Sequence, residues 1–120
     1  MKLSQVKNYQ TLVEYVKQNN NLKFKDFTPQ PPYDTYKVQL LLHYATPIAY
    51  IINEEIYCPH YVKENFISMT TAKISSQICN FSHVLDMNGF IYRLYDEFGC
   101  TIIEKNQRFY DKWVNNLIGE

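Results

Sequence analysis

The sequence predicts an α+β fold: a small, mostly antiparallel sheet of three to four strands with flanking helices and a helical C-terminal part. Two patterns in the segment 35–85 lead to this class. Apolar residues recur at every second position of 35–45, which is the period of a strand with one face on a core. After Thr71 the apolar spacing becomes that of a helix. At 120 residues, the chain is expected to form one domain spanning residues 1–120.

The first part of the chain predicts a helix, a short strand and a loop. In 4–18 one helical stripe is apolar, and the asparagines 19–21 tolerate the left-handed conformation that ends a helix. Segment 22–27 partly alternates and predicts an edge strand, whose lysines discourage pairing with another chain. The prolines in 29–32 then require a loop, because proline removes a backbone donor and disfavours helical geometry before it.

The centre of the chain predicts a meander of short strands. Pro47 precedes a second strand at 48–52, since proline suits the first residue of a strand or a turn. Residues 53–55 form the expected hairpin connection to a third strand at 56–58. A further short apolar run at 65–69 offers one more strand.

The next segment predicts a helix and a turn. Thr71 is expected to cap the helix, because its hydroxyl can accept a hydrogen bond from the free N–H groups of the first turn. The apolar residues then recur at i, i+4, i+7 and i+11. These residues are Ile74, Ile78, Phe81 and Leu85. Residues 86–89, with Asp, Asn and Gly, have the composition of a turn.

The remaining residues predict two helices. Segment 90–98 has an apolar face, and Gly99 supplies a helix stop. Thr101 and Glu104 have the spacing of a capping box and open a last helix, whose apolar face continues to Ile118. Segment 100–103 has an alternative interpretation as one more strand.

The charge balance argues against a nucleic-acid partner. Twelve basic residues balance twelve acidic ones, so no surplus of positive charge is available to replace the counterions of a phosphate backbone. A local group of lysines in 17–25 keeps one alternative open, a small nucleic-acid-binding or regulatory protein.

Cysteine usage and hydropathy predict the compartment. Three cysteines, Cys58, Cys79 and Cys100, are too few and odd in number for a disulfide framework, so reduced thiols in a cytosol are expected. The first ten residues lack the apolar run of a signal peptide, and no stretch approaches the ~18 apolar residues of a membrane span. We therefore expect a soluble protein of the cytoplasm.

The clustered cysteines and histidines are weak candidates for chemistry. Cys58, His60, Cys79 and His83 have the ligand types of a Cys₂His₂ zinc shell, which makes a zinc-dependent enzyme the least favoured alternative. Their spacing departs from that of structural zinc modules, and free cysteine is more often a small buried hydrophobe. His43 is expected at the surface or in second-layer packing. We predict no metal, no cofactor and no catalytic residue.

Tyrosine is unusually abundant, with eleven residues, and aromatic residues make up 16% of the chain. Exposed tyrosine is a favoured contact residue at protein–protein interfaces. Periodicity assigns several rings to the core, Tyr36 and Tyr44 among them, but leaves four tyrosines without a core role. The predicted partner-binding residues are these four and three charged neighbours: Tyr33, Tyr57, Tyr61, Lys63, Tyr92, Arg93 and Asp96.

Two segments resemble a family of small phage and mobile-element proteins. Residues 44–50 (YATPIAY) and 68–73 (SMTTAK) are similar to the family core, Y-x-T-P-I-A followed by S-x-T-T-S-K-H. The chain departs from it at Ala72, which replaces the usual serine, and at 74–75, where Ile-Ser replaces His-Gln. No role of the family histidine is therefore carried over.

In length, neutral charge and phage-like core, the chain also resembles the small anti-defence proteins of SPβ-like Bacillus phages. These inhibit the bacterial defence-associated sirtuin, a large NAD-degrading enzyme that is activated when it senses phage tail-tube protein. The resemblance implies a host-cytoplasmic inhibitor that acts by stoichiometric protein–protein binding and prevents this activation. It implies no enzymatic activity of the chain itself.

Overall fold

The computed structural model describes residues 1–60 and 68–101 and shows an α+β fold. Within these residues, five strands form one sheet in the order β1-β2-β3-β4-β5. The strands are β1 (Leu22–Phe27), β2 (Val38–His43), β3 (Thr46–Ile52), β4 (Glu55–Pro59) and β5 (His83–Leu85). The helices are α1 (Tyr9–Lys17), α2 (Met69–Cys79) and α3 (Met87–Tyr92), and α3 continues into a π-helical turn, Arg93–Glu97.

The sheet is mixed, because its last strand runs parallel to its neighbour. Strands β1 to β4 form an antiparallel meander, as the sequence predicts. Strand β5 pairs with β4 in parallel after the chain crosses over through α2. This strand is absent from the sequence prediction, which placed Leu85 on the preceding helix. The helix instead ends at Cys79, and the Ser82 hydroxyl donates to the Ile78 carbonyl there.

Both faces of the sheet are covered, so it forms the middle layer of the fold. On one face, Val38, Leu40 and Leu42 pack with Phe90 and Leu94 of the α3 segment. On the other face, Leu41 and Ile51 belong to a second core with residues of α1 and α2. The residues from α1 and α2 are Leu12, Ile74 and Ile78. The prediction of one buried face is therefore correct for 38–42, but the opposite face is buried as well.

Strand β2 is shorter at both ends than predicted. Tyr33–Thr35 forms a 3₁₀ turn and the strand begins at Val38, which leaves Tyr36 43% exposed. At the other end the hairpin turn begins after His43, and Tyr44 is 65% exposed. The core assignments of Tyr36 and Tyr44 are wrong because their two-residue spacing continues past the ends of the strand.

Each helix begins at a capping side chain. Ser68, and not Thr71, caps α2, and its Oγ accepts from the Thr71 backbone N–H at 3.1 Å. Helix α1 begins later than predicted, after Asn8, whose Oδ1 accepts from the Thr11 N–H at 2.8 Å. Asp86 caps α3 in the same way, so 86–89 opens a helix and is not a separate turn. Gly99 follows the π-helical turn with φ +67°, as its predicted role as a helix stop requires.

Three predictions from the sequence fall wholly or mainly outside the described residues. Only Ser68 and Met69 of the predicted strand 65–69 are described, and they belong to the N-terminus of α2. The predicted last helix lies outside the described residues, as does most of the alternative strand 100–103. Within the described residues, no helix is long and apolar enough to cross a membrane.

Cys58 of β4 and Cys79 at the end of α2 form a disulfide, with their Cα atoms 6.1 Å apart. The expectation of reduced thiols is therefore wrong for this pair. The sequence did not show the pairing, because 21 positions separate the two cysteines and only the packing of α2 against the sheet brings them together. Cys100 is buried in the other core.

The turn between β3 and β4 holds two side-chain-bearing residues at positive φ, Asn53 at 50° and Glu54 at 65°. Two-residue hairpin turns of this kind favour glycine in the second position.

We expect Glu54→Gly to raise the free energy of unfolding by about 0.5–1 kcal/mol, because glycine relieves the left-handed strain. Glu14→Gly, in the exposed face of α1, should lower it by about 1 kcal/mol. Urea unfolding of both variants checks this, and a loss of stability in Glu54→Gly would contradict the strain argument.

Candidate functional site

An open cleft of about 290 Å³ lies between the 3₁₀ turn Tyr33–Thr35, the β3–β4 hairpin and the π-helical turn that follows α3. We call it the tyrosine cleft. It is lined by Tyr33, Tyr36, Ile52, Asn53, Glu55, Tyr57, Arg93, Glu97 and Phe98. Its lining combines aromatic rings with three charged groups, Glu55, Arg93 and Glu97.

Tyr57, which lines the tyrosine cleft, belongs to a row of stacked rings across three neighbouring strands. Tyr50 of β3 stacks on Tyr57 of β4 with ring centroids 5.1 Å apart, and Tyr57 stacks on His83 of β5 at 4.9 Å. The register places these residues directly opposite one another. Tyr50 is fully buried and also contacts Phe90 and Phe98. The ring of Tyr57 is therefore held in place by packing against the core.

Arg93 connects this row of rings to the wall of the cleft. Its Nη1 donates to the Tyr50 hydroxyl at 2.9 Å, and its Nε donates to Glu97 Oε2 at 3.4 Å. Its Cζ lies 5.6 Å from the centre of the Tyr57 ring, which is within the range of a cation–π contact. Burial raises the pKa of the Tyr50 phenol, so this group stays neutral and accepts the bond. The hydrogen bond with Tyr50 raises the pKa of Arg93.

The loop that carries Tyr33 is attached to the end of the π-helical turn. The Gln30 N–H donates to the Phe98 carbonyl at 2.8 Å, and Gln30 Nε2 donates to the Asp96 carbonyl at 2.8 Å. The ring of Tyr33 packs edge-on against Phe98 with centroids 5.7 Å apart. These contacts fix the rim of the cleft on the side of the proline-rich loop.

The structure places three of the seven predicted partner-binding residues in the tyrosine cleft: Tyr33, Tyr57 and Arg93. Tyr92 is 55% exposed at the end of α3 and does not line the cleft. Asp96 is also exposed and outside the lining, although its carbonyl binds Gln30 beside the rim. Tyr61 and Lys63 lie outside the described residues.

Sequence reasoning missed several lining residues, above all Tyr36 and the carboxylates Glu55 and Glu97. Tyr36 was assigned to the core by its alternation with Val38. Neither carboxylate is among the predicted partner-binding residues. One signal was available in the sequence, since Arg93 and Glu97 have the i, i+4 spacing of a helical ion pair.

The cysteines and histidines considered for zinc are engaged in other contacts. His83 Nε2 lies 2.7 Å from Glu55 Oε2, and Cys58 is paired with Cys79. His60 is exposed. In residues 1–60 and 68–101, no three His, Cys, Asp or Glu side chains are grouped so that they could hold a metal ion.

Outside the tyrosine cleft, a polar cluster connects the second motif segment to His43. His43, which directly precedes the first segment, shares a hydrogen bond of 2.7 Å between its Nδ1 and Thr71 Oγ1 of the second. Thr71 Oγ1 also lies 2.8 Å from Ser68 Oγ. The His43 ring is only 1% exposed, which agrees with the second-layer alternative of the sequence prediction and not with a surface position. This cluster ties the end of β2 to the start of α2.

The buried position of His43 predicts a pH-dependent stability. Burial lowers the pKa of His43, so its imidazole stays neutral in the folded chain at pH values where the unfolded chain takes up a proton. The unfolded state then binds more protons, and the free energy of unfolding falls as the pH drops below about 6.5. Titration of His43 can change the free energy of unfolding by at most about 1.4 kcal/mol per pH unit.

Urea unfolding at about pH 7.5, 6.5 and 5.5 checks this expectation for the range in which histidine titrates. His43→Asn removes the titrating group and should flatten the decline. An equal decline in the wild type and in His43→Asn would contradict the assignment.

The chain was also compared with known proteins. No family model, curated protein sequence or solved structure matches it.

Proposed function

We propose that this chain is a phage counter-defence protein. In the host cytoplasm it binds the bacterial defence-associated sirtuin, a large NAD-degrading enzyme, and prevents its activation by phage tail-tube protein. The two motif segments supply the phage resemblance, and the tyrosine cleft supplies a surface suited to a protein partner. The chain acts by stoichiometric binding and performs no covalent chemistry of its own.

One observation carries the binding role. Three residues that the sequence predicts as partner contacts, Tyr33, Tyr57 and Arg93, line one cleft. Tyrosine and arginine are the residue types enriched among the contacts that dominate binding energy. The hydrogen bonds and ring contacts beneath them reduce the ordering cost of association.

The inhibition requires only a difference in affinity. An inhibitor that binds the inactive sirtuin more tightly than the active one holds the enzyme in the inactive state. A specific interface of about 1,600 Å² in total, with a few aromatic anchors near its centre, is sufficient. In this proposal the tyrosine cleft provides the centre and the surrounding polar surface provides the rim.

A reconstituted assay tests the proposal. Purified sirtuin and tail-tube protein are mixed with NAD, and NAD loss is followed as the chain is added. We expect NAD loss to stop at a saturating amount of the chain, and excess tail-tube protein to restore it partly. Unchanged NAD loss, together with no complex at micromolar concentrations in a pull-down, would end the proposal.

A further inference from the structure

We propose that the tyrosine cleft accepts a basic side chain, arginine or lysine, that the partner inserts into it. The identity of the partner rests on the proposed function, whereas the chemistry of the occupant is argued from the cleft itself. Three features support a cation: the charges of the lining, the distribution of charge along the chain, and the size and aromatic character of the cleft.

The lining carries two carboxylates, Glu55 and Glu97, and one cation, Arg93. The Arg93 guanidinium is already engaged by the Tyr50 hydroxyl, by Glu97 and by the face of Tyr57. Its charge is therefore largely compensated within the protein. The Glu55 carboxylate accepts one hydrogen bond from His83 Nε2 at 2.7 Å. A carboxylate has about four acceptor positions, so Glu55 retains the capacity to bind an incoming cation.

The neutral total charge of the chain conceals an uneven distribution. Residues 1–25 contain five lysines and one glutamate. The other described residues, 26–60 and 68–101, contain seven carboxylates and three basic side chains. All the residues that line the tyrosine cleft come from this acidic part. The segments that form the cleft therefore carry a net negative charge, which favours a positively charged group on the partner.

The size and lining of the cleft suit a side chain. Its volume of about 290 Å³ lies below the roughly 300–1,000 Å³ of pockets that enclose whole small molecules. Tyr33 and Tyr36 provide aromatic rings on the rim, and such rings attract ammonium and guanidinium groups. The planar guanidinium of arginine both stacks on rings and forms paired hydrogen bonds with carboxylates. Arginine is therefore the preferred occupant, with lysine second.

A titration with free amino-acid derivatives tests the cleft without any partner protein. The probe is N-acetyl-arginine amide, and N-acetyl-citrulline amide is its neutral counterpart of nearly the same shape. NMR of the full chain follows the side chains of Tyr33, Tyr57 and Arg93. We expect saturable shifts with a dissociation constant on the order of 10 mM for the arginine derivative, because one side chain contributes little affinity. The citrulline derivative should give no saturable shift.

Two matched variants locate the site. Glu55→Gln removes a carboxylate from the cleft and should weaken binding of the arginine derivative about fivefold. Glu54→Gln removes the adjacent exposed carboxylate, which does not line the cleft, and should change binding less than about twofold. The proposal is overturned if the arginine derivative produces no saturable shift, if citrulline binds equally well, or if both variants weaken binding equally.

This test is independent of the assay for inhibition. If the cleft binds the arginine derivative but the chain does not affect NAD loss, the cation site is supported and the proposed function is wrong. If the chain inhibits NAD loss but does not bind the arginine derivative, the proposed function is supported and the cation site is wrong.

Discussion

In the proposed complex with the sirtuin, replacing Tyr36 by serine is expected to weaken binding about 30-fold, which corresponds to the loss of one dominant contact of about 2 kcal/mol. Tyr36 lines the tyrosine cleft, and its side chain is available to a partner because the residue is 43% exposed. It precedes β2 and belongs to neither core, so the substitution should leave the fold intact. Calorimetric titration of the purified proteins measures the change.

Tyr44→Ser is the matched control for this substitution. Tyr44 is 65% exposed, lies in the turn at the opposite end of β3 and does not line the cleft. We expect its replacement to change the affinity less than about threefold, as for most residues outside the dominant contacts. An equal loss of affinity in the two variants would show that the sirtuin does not recognise the tyrosine cleft specifically.

Replacing His43 by alanine is expected to lower the free energy of unfolding by about 2–4 kcal/mol. The substitution leaves a cavity at a fully buried position between β2 and α2, and it removes the ring nitrogen that binds Thr71 Oγ1 at 2.7 Å. The cavity and the lost hydrogen bond both lower the stability, because the Thr71 hydroxyl lies on a buried residue and water cannot replace the missing partner. Urea unfolding at neutral pH measures the difference.

Two further variants test whether the loss of stability is specific to the buried histidine and its contact with Thr71. His60→Ala removes an exposed imidazole and should cost less than about 0.5 kcal/mol. Thr71→Val keeps the volume but removes the hydroxyl, and should cost about 1–3 kcal/mol, because Nδ1 of His43 then loses its partner. If His43→Ala were as mild as His60→Ala, the polar cluster would have no structural role.

The meander was predictable because its signals are local. Leu40 and Leu42 alternate on one face of β2, Pro47 marks the start of the next strand, and 53–55 lies where the hairpin turns. Each signal depends only on residues that are close together in the sequence: alternation for the strand, and one proline or a few adjacent residues for a strand start and a turn. The first four strands and the connections between them follow from these patterns.

Strand β5 was not predictable in the same way. Leu85 continues the helical spacing of Ile74 and Ile78, so the pattern cannot show that the helix ends at Cys79. The pairing that decides the matter is a parallel contact of Val84 with Cys58, 26 positions earlier in the chain. Contacts over such distances leave no periodic trace in the sequence.

The tyrosine cleft was predictable only in part, for the same reason. The excess of tyrosine predicts Tyr33 and Tyr57 as contact residues, with Arg93 as a charged neighbour, but it does not show that they meet. Arg93 reaches Tyr50 across 43 positions, and Tyr36 is exposed only because β2 begins two residues later. Three of the nine lining residues were thus predicted from the sequence, whereas the rest of the lining and its geometry depend on the packing of the π-helical turn against the sheet.

The most direct measurement is a photo-crosslink from the cleft to the sirtuin. A photoreactive phenylalanine analogue placed at position 36 should form a covalent product with the sirtuin on illumination, and added wild-type chain should suppress it. The same analogue at position 44 should form little product. A crosslink from position 44 that equals or exceeds the one from position 36 would contradict the assignment of the tyrosine cleft as the binding surface.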